Sequence, residues 1–231
     1  MLSDVMEDYL KAIFTLQESE EPPIPPSRIA DRLDVTAPTV TSMMETLEER
    51  GLVEREKYAG VRLTEEGATV ALEILRHHRL LEAYLAEHLD YEWSEVHAEA
   101  EVLEHHISEE FERRVAEALD HPQTDPHGDP IPGTDLQPVS DDTEPLSAFE
   151  PGDRLRVCRV RDDEPEVLSH LAAIGIEPGT ELVLQAVTPL SVYQVEVDGE
   201  RRHLPASTAD VLRVRPSEDG ETDPTRETEA A

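Results

Sequence analysis

Apolar residues recur every three or four positions through the first half of the chain, which is the spacing of one face of a helix. This periodicity predicts helices over residues 4–19, 28–33, 37–50, 65–89, 96–108 and 109–119. Two short runs, residues 52–56 and 61–64, flank a turn at Tyr58 to Gly60 and predict a β-hairpin. The order of helix, helix, short turn, helix and hairpin is that of a winged helix-turn-helix, which we expect over residues 1–64. A helical domain is expected over residues 65–120.

Local signals indicate where the two middle helices of this unit begin and end. Ser27 is expected to cap the helix over residues 28–33, and Thr36 the helix over residues 37–50. Pro38 falls in the first turn, where a missing backbone N–H has no cost, and Gly51 is placed to end the helix.

The pattern changes in the second half of the chain. Residues 121–148 are rich in Pro, Asp and Gly and are expected to form a linker. Residues 149–215 contain short strands, a short helix over residues 166–173 and a tight turn at Asp198 and Gly199, which predict a small SH3-like β-barrel. Residues 216–231 are acidic and are expected to be disordered. The predicted fold class is therefore mainly α with a small β domain.

Histidine and glutamate side chains share one side of the helix predicted over residues 96–108. They are His97, Glu101, Glu104 and His105, and the helix upstream offers His78 and Glu82 at a spacing of four. Imidazole and carboxylate together are ligands of divalent transition metals, so the pattern predicts a metal site between the two helices. The alternative is a set of solvated pairs, since 53 of the 231 residues are acidic. His106 remains unassigned.

The helix predicted over residues 37–50 takes the place of the recognition helix in a helix-turn-helix. Its start contains no acidic residue, which is notable in so acidic a chain. Its hydroxyl groups and its free N–H groups can approach phosphates and base edges. The alternative is simple capping by Thr36, and both can hold at once. The expected DNA contacts in this helix are Thr36, Ala37, Pro38, Thr39, Thr41 and Ser42. Arg28, Lys57 and Arg62 would add contacts to the DNA backbone from the flanking helix and the wing.

Composition changes how DNA binding should be understood. The formal net charge is −33, only Lys11 and Lys57 among the 20 basic residues are lysines, and aromatic residues make up 4%. This composition resembles that of halophile proteins that work in molar KCl, where the Debye length is only ~3 Å and general repulsion from DNA is screened. Affinity must then come from short-range fit. The periodic apolar segments argue against a disordered acidic chain.

Two further classes are excluded by composition. The single cysteine, Cys158, rules out a disulfide framework and a cysteine-based zinc site. No apolar run approaches the ~18 residues of a membrane span, and the N-terminal residues lack the pattern of a signal peptide. We therefore expect a soluble cytoplasmic protein with no membrane partner.

Several segments carry a family likeness. The chain resembles the diphtheria toxin repressor family of iron- and manganese-dependent repressors, in a halophilic archaeal form, as far as about residue 215. The matching segments are MEDYLKAIF, RIADRLDVTAPTVTSMMETLEERGLV, LTEEGATVALEILRHHRLLEAYL, VHAEAEVLEHHIS and HGDPIPG. The resemblance implies a homodimer that binds double-stranded DNA at a palindromic operator and controls metal uptake genes.

The resemblance also implies two metal sites per subunit, for Mn²⁺ or Fe²⁺. The primary site would use Asp8, Glu101, Glu104 and His105. The second would use His78, Glu82 and His97, completed by barrel side chains near Glu164 or Glu166. Iron-type members place sulfur ligands at the positions of Asp8 and Glu101, whereas oxygen at both positions favours Mn²⁺ without excluding Fe²⁺. Short manganese-type members have an acid where this chain has Lys11, so the chain departs from their two-metal arrangement.

The expected mechanism is a metal ion that joins the first helix to the ligand helices and fixes the DNA-binding unit relative to the dimer body. Two other functions compete with it. One is a metal-independent winged-helix regulator whose barrel binds a protein partner, and the other is a metal-dependent hydrolase. The sequence shows no catalytic Ser/His/Asp or Cys/His pattern and no phosphate-binding glycine loop. We therefore expect no enzyme activity, no catalytic residues and no small-molecule substrate.

Overall fold

The computed structural model describes residues 2–138, 142–161 and 164–217. The chain divides into two units, one of residues 1–91, 96–125 and 130–139, the other of residues 92–95, 126–129 and 140–231. Most of the tail predicted from residue 216 lies outside the described residues. No helix in the described ranges is both long enough and apolar enough to cross a membrane.

The N-terminal part of the first unit has the predicted order of elements. These elements are α1 (Asp4–Gln17), α2 (Pro26–Arg32), α3 (Ala37–Glu49), β1 (Val53–Glu56) and β2 (Gly60–Leu63). Leu10, Ile13 and Ile29 are fully buried in one core, together with Val40 and Leu47 of α3. β1 and β2 pair antiparallel. The helix-turn-helix and its hairpin wing are thus held together by one apolar cluster.

Two predicted helix caps differ in the structure. The prediction for Ser27 is wrong, because α2 begins at Pro26 with Pro25 at its N-cap position. Proline has the backbone angle of a first helical residue and lacks the N–H that would go unpaired there. Thr36 does occupy the N-cap position of α3, but its side chain makes no capping hydrogen bond. Its hydroxyl instead lies 2.8 Å from that of Thr39.

A long helix forms the centre of the first unit. It is α4 (Glu65–Leu89), with the predicted bounds, and the Thr64 hydroxyl accepts a hydrogen bond from the Gly67 N–H at 3.0 Å. α5 (Val96–Leu103) and α6 (Glu109–Ala118) follow. The prediction of one helix through residue 108 is wrong, since residues 104–106 form a turn and Ser108 caps α6.

The first part of the predicted linker lies against α4. Arg76 donates a hydrogen bond to the Pro132 carbonyl at 2.6 Å, and Arg79 donates one to the Pro130 carbonyl at 2.7 Å. Ile131 between them is 7% exposed and packs with Leu80. These contacts fix the path of the chain along one side of the helix that carries His78 and Glu82.

The described part of the second unit contains a sheet, two α-helices and a 3₁₀ helix at Leu146–Ala148. Its strands and helices are β3 (Glu144–Pro145), β4 (Arg154–Val160), α7 (Pro165–Ala173), β5 (Glu181–Val187), β6 (Val192–Val197), β7 (Glu200–Pro205), α8 (Ala206–Val211) and β8 (Leu212–Pro216). The strand order is β3-β8-β4-β5-β6-β7. Within the described ranges β3 and β7 do not pair, so the expected barrel is an open sheet. Asp198 and Gly199 both have positive φ in the β6–β7 turn, as expected for a tight hairpin.

Candidate metal centre

Helix α1 carries a polar stripe beside its buried face. Asp4, Glu7, Asp8 and Lys11 recur at spacings of three and four, which places them on adjoining positions of one helix side. Leu10 and Ile13 are fully buried and fix the rotation of the helix. The polar stripe is thereby directed at the turn that follows α5.

A first ligand group joins α1 to this turn, and it contains Asp8, Glu104 and His105. One ligand atom from each lies within 4.8 Å of the others. His105 Nε2 is 2.9 Å from Asp8 Oδ1 and 3.4 Å from Glu104 Oε1. Three of the four residues expected in the primary site are therefore brought together across 97 positions of sequence.

Glu7 also belongs to this group, although no sequence pattern by itself identifies it as a site residue. Its Oε2 lies 2.7 Å from Nδ1 of His105, on the opposite side of the ring from Asp8. A carboxylate at Nδ1 holds a proton there and leaves Nε2 as the ligand atom. Asp4 also approaches Glu7 and His105 within 4.8 Å. The available signal was the spacing of Asp4, Glu7 and Asp8 on one helix side.

A second ligand group lies between α4 and α5. His78 Nε2 is 3.0 Å from His97 Nδ1, and Glu82 Oε1 lies 2.9 Å from the first and 3.2 Å from the second. Glu101 also joins this group, since its Oε1 is 3.7 Å from His97 Nε2. The resemblance placed Glu101 with Asp8, whereas the metal-ligand geometry groups it with His78 and His97.

Glu104 connects the two groups. Its Oε1 contacts Lys11 at 2.6 Å and its Oε2 contacts His78 Nδ1 at 2.5 Å, and the residue is completely buried. Burial alone would raise its pKa, but the hydrogen bond from His78 and the charge of Lys11 outweigh burial and lower it. Glu104 is therefore an anion with one oxygen on each group.

The carboxylates around His78 and His105 raise the pKa values of both histidines. Burial would lower the pKa of His78, but Glu82 and Glu104 outweigh burial and raise it to about 10. The pKa of His105 is also raised, because Glu7, Glu104 and Asp8 together outweigh its burial. The carboxylates therefore attract positive charge to both groups.

The donor set fits a divalent ion. A ligand nitrogen or oxygen lies about 2.0–2.2 Å from such an ion, so ligands on opposite sides are about 4.0–4.4 Å apart. Ligand atoms of Asp8, Glu104 and His105, and those of His78, His97 and Glu101, lie within 4.8 Å of one another, so only small side-chain movements are needed to reach that spacing. The carboxylate-rich composition suits Mn²⁺ and Fe²⁺.

The two barrel residues expected to complete the second site are exposed in the other unit. Glu164 is the N-cap residue of α7 and Glu166 lies in its first turn. Their contribution to a metal site stays a prediction. His106 is exposed.

The predicted DNA contacts form an exposed, uncharged patch on α3. Thr36, Ala37, Pro38, Thr39, Thr41 and Ser42 are all exposed. The Thr41 hydroxyl donates to the Ala37 carbonyl at 3.0 Å. Behind them Val40 and Met44 are buried, so the helix is anchored by one face and presents the other.

The flanking basic residues are also exposed. Arg28 is paired with Glu20 at 2.5 Å, and Arg62 lies 3.6 Å from Glu56. Lys57 Nζ lies 5.0 Å from the ring centre of Tyr58, which is 96% exposed at the tip of the wing. Because exposed ion pairs contribute little free energy, Arg28 and Arg62 can exchange these partners for phosphates at small cost.

Three family sequence models match consecutive parts of the chain. Residues 1–61 match the iron dependent repressor N-terminal DNA binding domain. Residues 64–133 match the iron dependent repressor metal binding and dimerisation domain, and residues 144–216 match the FeoA domain.

Characterised relatives agree with these matches. The iron-dependent repressor IdeR of Mycobacterium tuberculosis is 42% identical over 132 residues, and that match spans 57% of this chain and 57% of the relative. The diphtheria toxin repressor of Corynebacterium efficiens is 36% identical over 191 residues, spanning 78% of this chain and 83% of the relative.

Solved structures with a similar fold include several metal-responsive regulators. A manganese-dependent transcriptional repressor in complex with manganese has a TM-score of 0.86 and 38% identity, covering 92% of this chain and 100% of that one. The manganese regulator SloR has a TM-score of 0.78 and 34% identity, and the match covers 92% of this chain and 98% of SloR. ScaR with bound Cd²⁺ has a TM-score of 0.80 and 33% identity, and the match covers 92% of this chain and 99% of ScaR.

Proposed function

Since this chain belongs to the iron-dependent repressor family, we propose that it is a transcriptional repressor whose DNA binding is switched on by Mn²⁺ or Fe²⁺. The family is one of DNA-binding repressors and not of enzymes, which removes the hydrolase alternative. The observation that carries the proposal is the group of Asp8, Glu104 and His105, because it joins α1 of the DNA-binding part to the turn after α5.

Two sets of residues would hold metal, with up to two ions in each subunit. Asp8, Glu104 and His105 would hold one, and His78, Glu82 and His97 with Glu101 would hold the other. A divalent cation supplies positive charge that offsets the repulsion between the clustered carboxylates. Glu7 would orient the His105 ring by accepting the proton of Nδ1, so that Nε2 is the nitrogen directed at the metal, and Glu104 would give one oxygen to each set.

The consequence for DNA binding follows from where the ligands lie. Asp8 belongs to α1, which packs in the same apolar core as α3, whereas Glu104 and His105 belong to the helical domain. Ligands pulled together from both parts restrict the motion of α3 relative to the helical domain. Two recognition helices in a dimer must match successive major grooves, so restriction of this motion favours DNA binding.

The operator-bound form is proposed to be a homodimer on a palindromic duplex. The match to a dimerisation domain over residues 64–133 supports this, and α4, α5 and α6 expose Leu89, Val102 and Phe111. The protein would act in the cytoplasm, and its acid-rich, lysine-poor composition fits DNA binding in molar KCl through hydroxyl groups of α3.

The experiment is isothermal titration of the full chain in molar KCl with Mn²⁺, Fe²⁺ and Zn²⁺, followed by DNA-binding measurements. We expect saturable Mn²⁺ and Fe²⁺ binding, and DNA retention that requires metal. A metal-independent regulator with a protein-binding barrel would bind DNA equally in chelator, and Glu104→Ala would then leave repression intact.

A further inference from the structure

We propose that Lys11 is a tethered cation that competes with the divalent ion for Glu101 and Glu104, and so sets the metal concentration at which the protein responds. The inference rests on the proposed function, because it concerns the same ligand groups. It goes further by naming a residue that tunes the response without being a ligand.

The geometry places the ammonium group between two ligand carboxylates. Lys11 Nζ lies 2.6 Å from Glu101 Oε1 and 2.6 Å from Glu104 Oε1. The Lys11 side chain is 14% exposed and that of Glu104 is not exposed at all. The hydrogen-bonded contact joins α1 to α5 and its following turn, and it is buried on the Glu104 side, whereas the Glu101 side chain is 39% exposed.

The oxygens that Lys11 occupies are the ones that the ligand groups need. Glu104 Oε1 is the atom that faces His105 Nε2 at 3.4 Å in the first group. Glu101 Oε1 is the atom that faces His97 Nε2 at 3.7 Å in the second group. One ammonium thus holds a ligand atom of each group. A divalent ion at either place would meet a like charge within a few ångströms, and the repulsion would be screened least beside the buried Glu104.

Lysine suits this role better than arginine. Its charge sits at the end of a flexible four-carbon stem and is strongly hydrated, so it can leave the pair and reach water. Arginine holds two carboxylate oxygens through a rigid, planar fork and would leave less readily.

The size of the effect follows from competition. The apparent dissociation constant of a ligand equals its intrinsic value divided by the fraction of protein able to bind it. If the ammonium occupies the carboxylate pair for about nine-tenths of the time, its removal tightens metal binding about tenfold.

The test is Mn²⁺ titration of the full chain in molar KCl by calorimetry, with thermal unfolding in chelator measured alongside. The variants are Lys11→Gln and Lys11→Arg. The control is Arg114→Gln, which removes one positive charge from the exposed side of α6. We expect Lys11→Gln to bind Mn²⁺ about tenfold more tightly, Lys11→Arg to bind more weakly than the wild type, and the control to be unchanged.

Mn²⁺ affinity, and not stability, separates competition from a structural role. Lys11→Gln loses two ion pairs, so its melting temperature in chelator falls under either account. A merely structural lysine would give equal or weaker Mn²⁺ binding in Lys11→Gln, and that result overturns the inference. If Lys11→Gln does not fold, equal or tighter Mn²⁺ binding by Lys11→Arg overturns it instead. Failure of the wild type to bind either Mn²⁺ or Fe²⁺ overturns the proposed function as well, whereas the other two results leave the proposed function standing.

Discussion

The two ligand groups use the same chemistry but connect different parts of the fold. Asp8, Glu104 and His105 join α1 to the turn after α5, whereas His78, Glu82 and His97 join α4 to α5 within the helical domain. Only the first group includes a residue of the DNA-binding part. The difference indicates that the first group would control DNA binding and the second would stabilise the helical domain, with Glu104 shared by both.

The largest effect is expected from Glu104→Gln, which acts on both groups. Loss of the carboxylate leaves Lys11 and His78 beside a neutral amide, and removal of one partner from a buried ion pair costs about 3–5 kcal/mol. We expect a lower melting temperature and no stabilisation by Mn²⁺ in thermal unfolding. Glu87→Gln removes an exposed carboxylate from α4 and serves as the control. Retention of Mn²⁺ stabilisation in Glu104→Gln would contradict the shared role.

A pair of variants, Asp8→Ala and Glu82→Gln, tests whether the first ligand group controls DNA binding and the second does not. Asp8→Ala should still bind Mn²⁺ at the second group, while the increase in DNA affinity that metal produces falls by about 100-fold. Glu82→Gln should weaken Mn²⁺ binding but keep a response of DNA binding to metal. Calorimetry and DNA-binding titrations on both variants distinguish these outcomes, and equal loss of response in the two would remove the division of roles.

A smaller effect on metal affinity is expected from Glu7→Gln, which tests the role of a residue that holds the ligand His105 in position. The amide cannot hold the His105 ring as firmly as the carboxylate that now lies 2.7 Å from Nδ1. Changes at such positions lower metal affinity about 10–100-fold, and we expect the lower end because Asp8 and Glu104 remain. Calorimetry with Mn²⁺ measures the change, and unchanged affinity would show that Glu7 does not position His105.

The smallest effect is expected from Thr39→Val on the recognition helix, which lies outside both ligand groups. The substitution keeps the shape of the side chain and removes one hydroxyl, so DNA affinity should fall about fivefold, as for loss of one hydrogen bond. Mn²⁺ affinity should be unchanged. A change in Mn²⁺ affinity with no change in DNA affinity would contradict the assignment of α3 to DNA contact.

Local sequence signals predicted the regular elements well where packing follows periodicity. α4 has the bounds of residues 65–89 that its apolar periodicity predicts, and the Thr64 cap seen in the structure fixes its first turn. The signal failed at residues 104–108, where histidine and glutamate continue at helical spacing although the backbone turns. Ser108 is the N-cap of the next helix, α6, although its position also fits the end of the helix predicted over residues 96–108. The cap is a hydrogen bond from the Phe111 N–H to the Ser108 hydroxyl, which the spacing of residues does not reveal.

The candidate site was predictable only in part for a similar reason. His78 with Glu82 and His97 with Glu101 are visible as pairs four residues apart on one helix. Asp8 came from family resemblance alone, and Glu7 was missed because its partner His105 lies 98 residues away. The contact of Lys11 with Glu101 and Glu104 likewise spans at least 90 residues. Contacts across such distances depend on tertiary packing, which no local pattern encodes.

The central claim is that ligands shared between α1 and the turn after α5 control DNA binding, and DNA retention with and without metal tests it most directly. Duplexes are selected from a random pool in molar KCl by the wild type and by Asp8→Ala, each in MnCl₂ and in chelator. The account predicts that only the wild type in MnCl₂ enriches a shared sequence. Equal enrichment by the wild type in chelator, or by Asp8→Ala in MnCl₂, would contradict it.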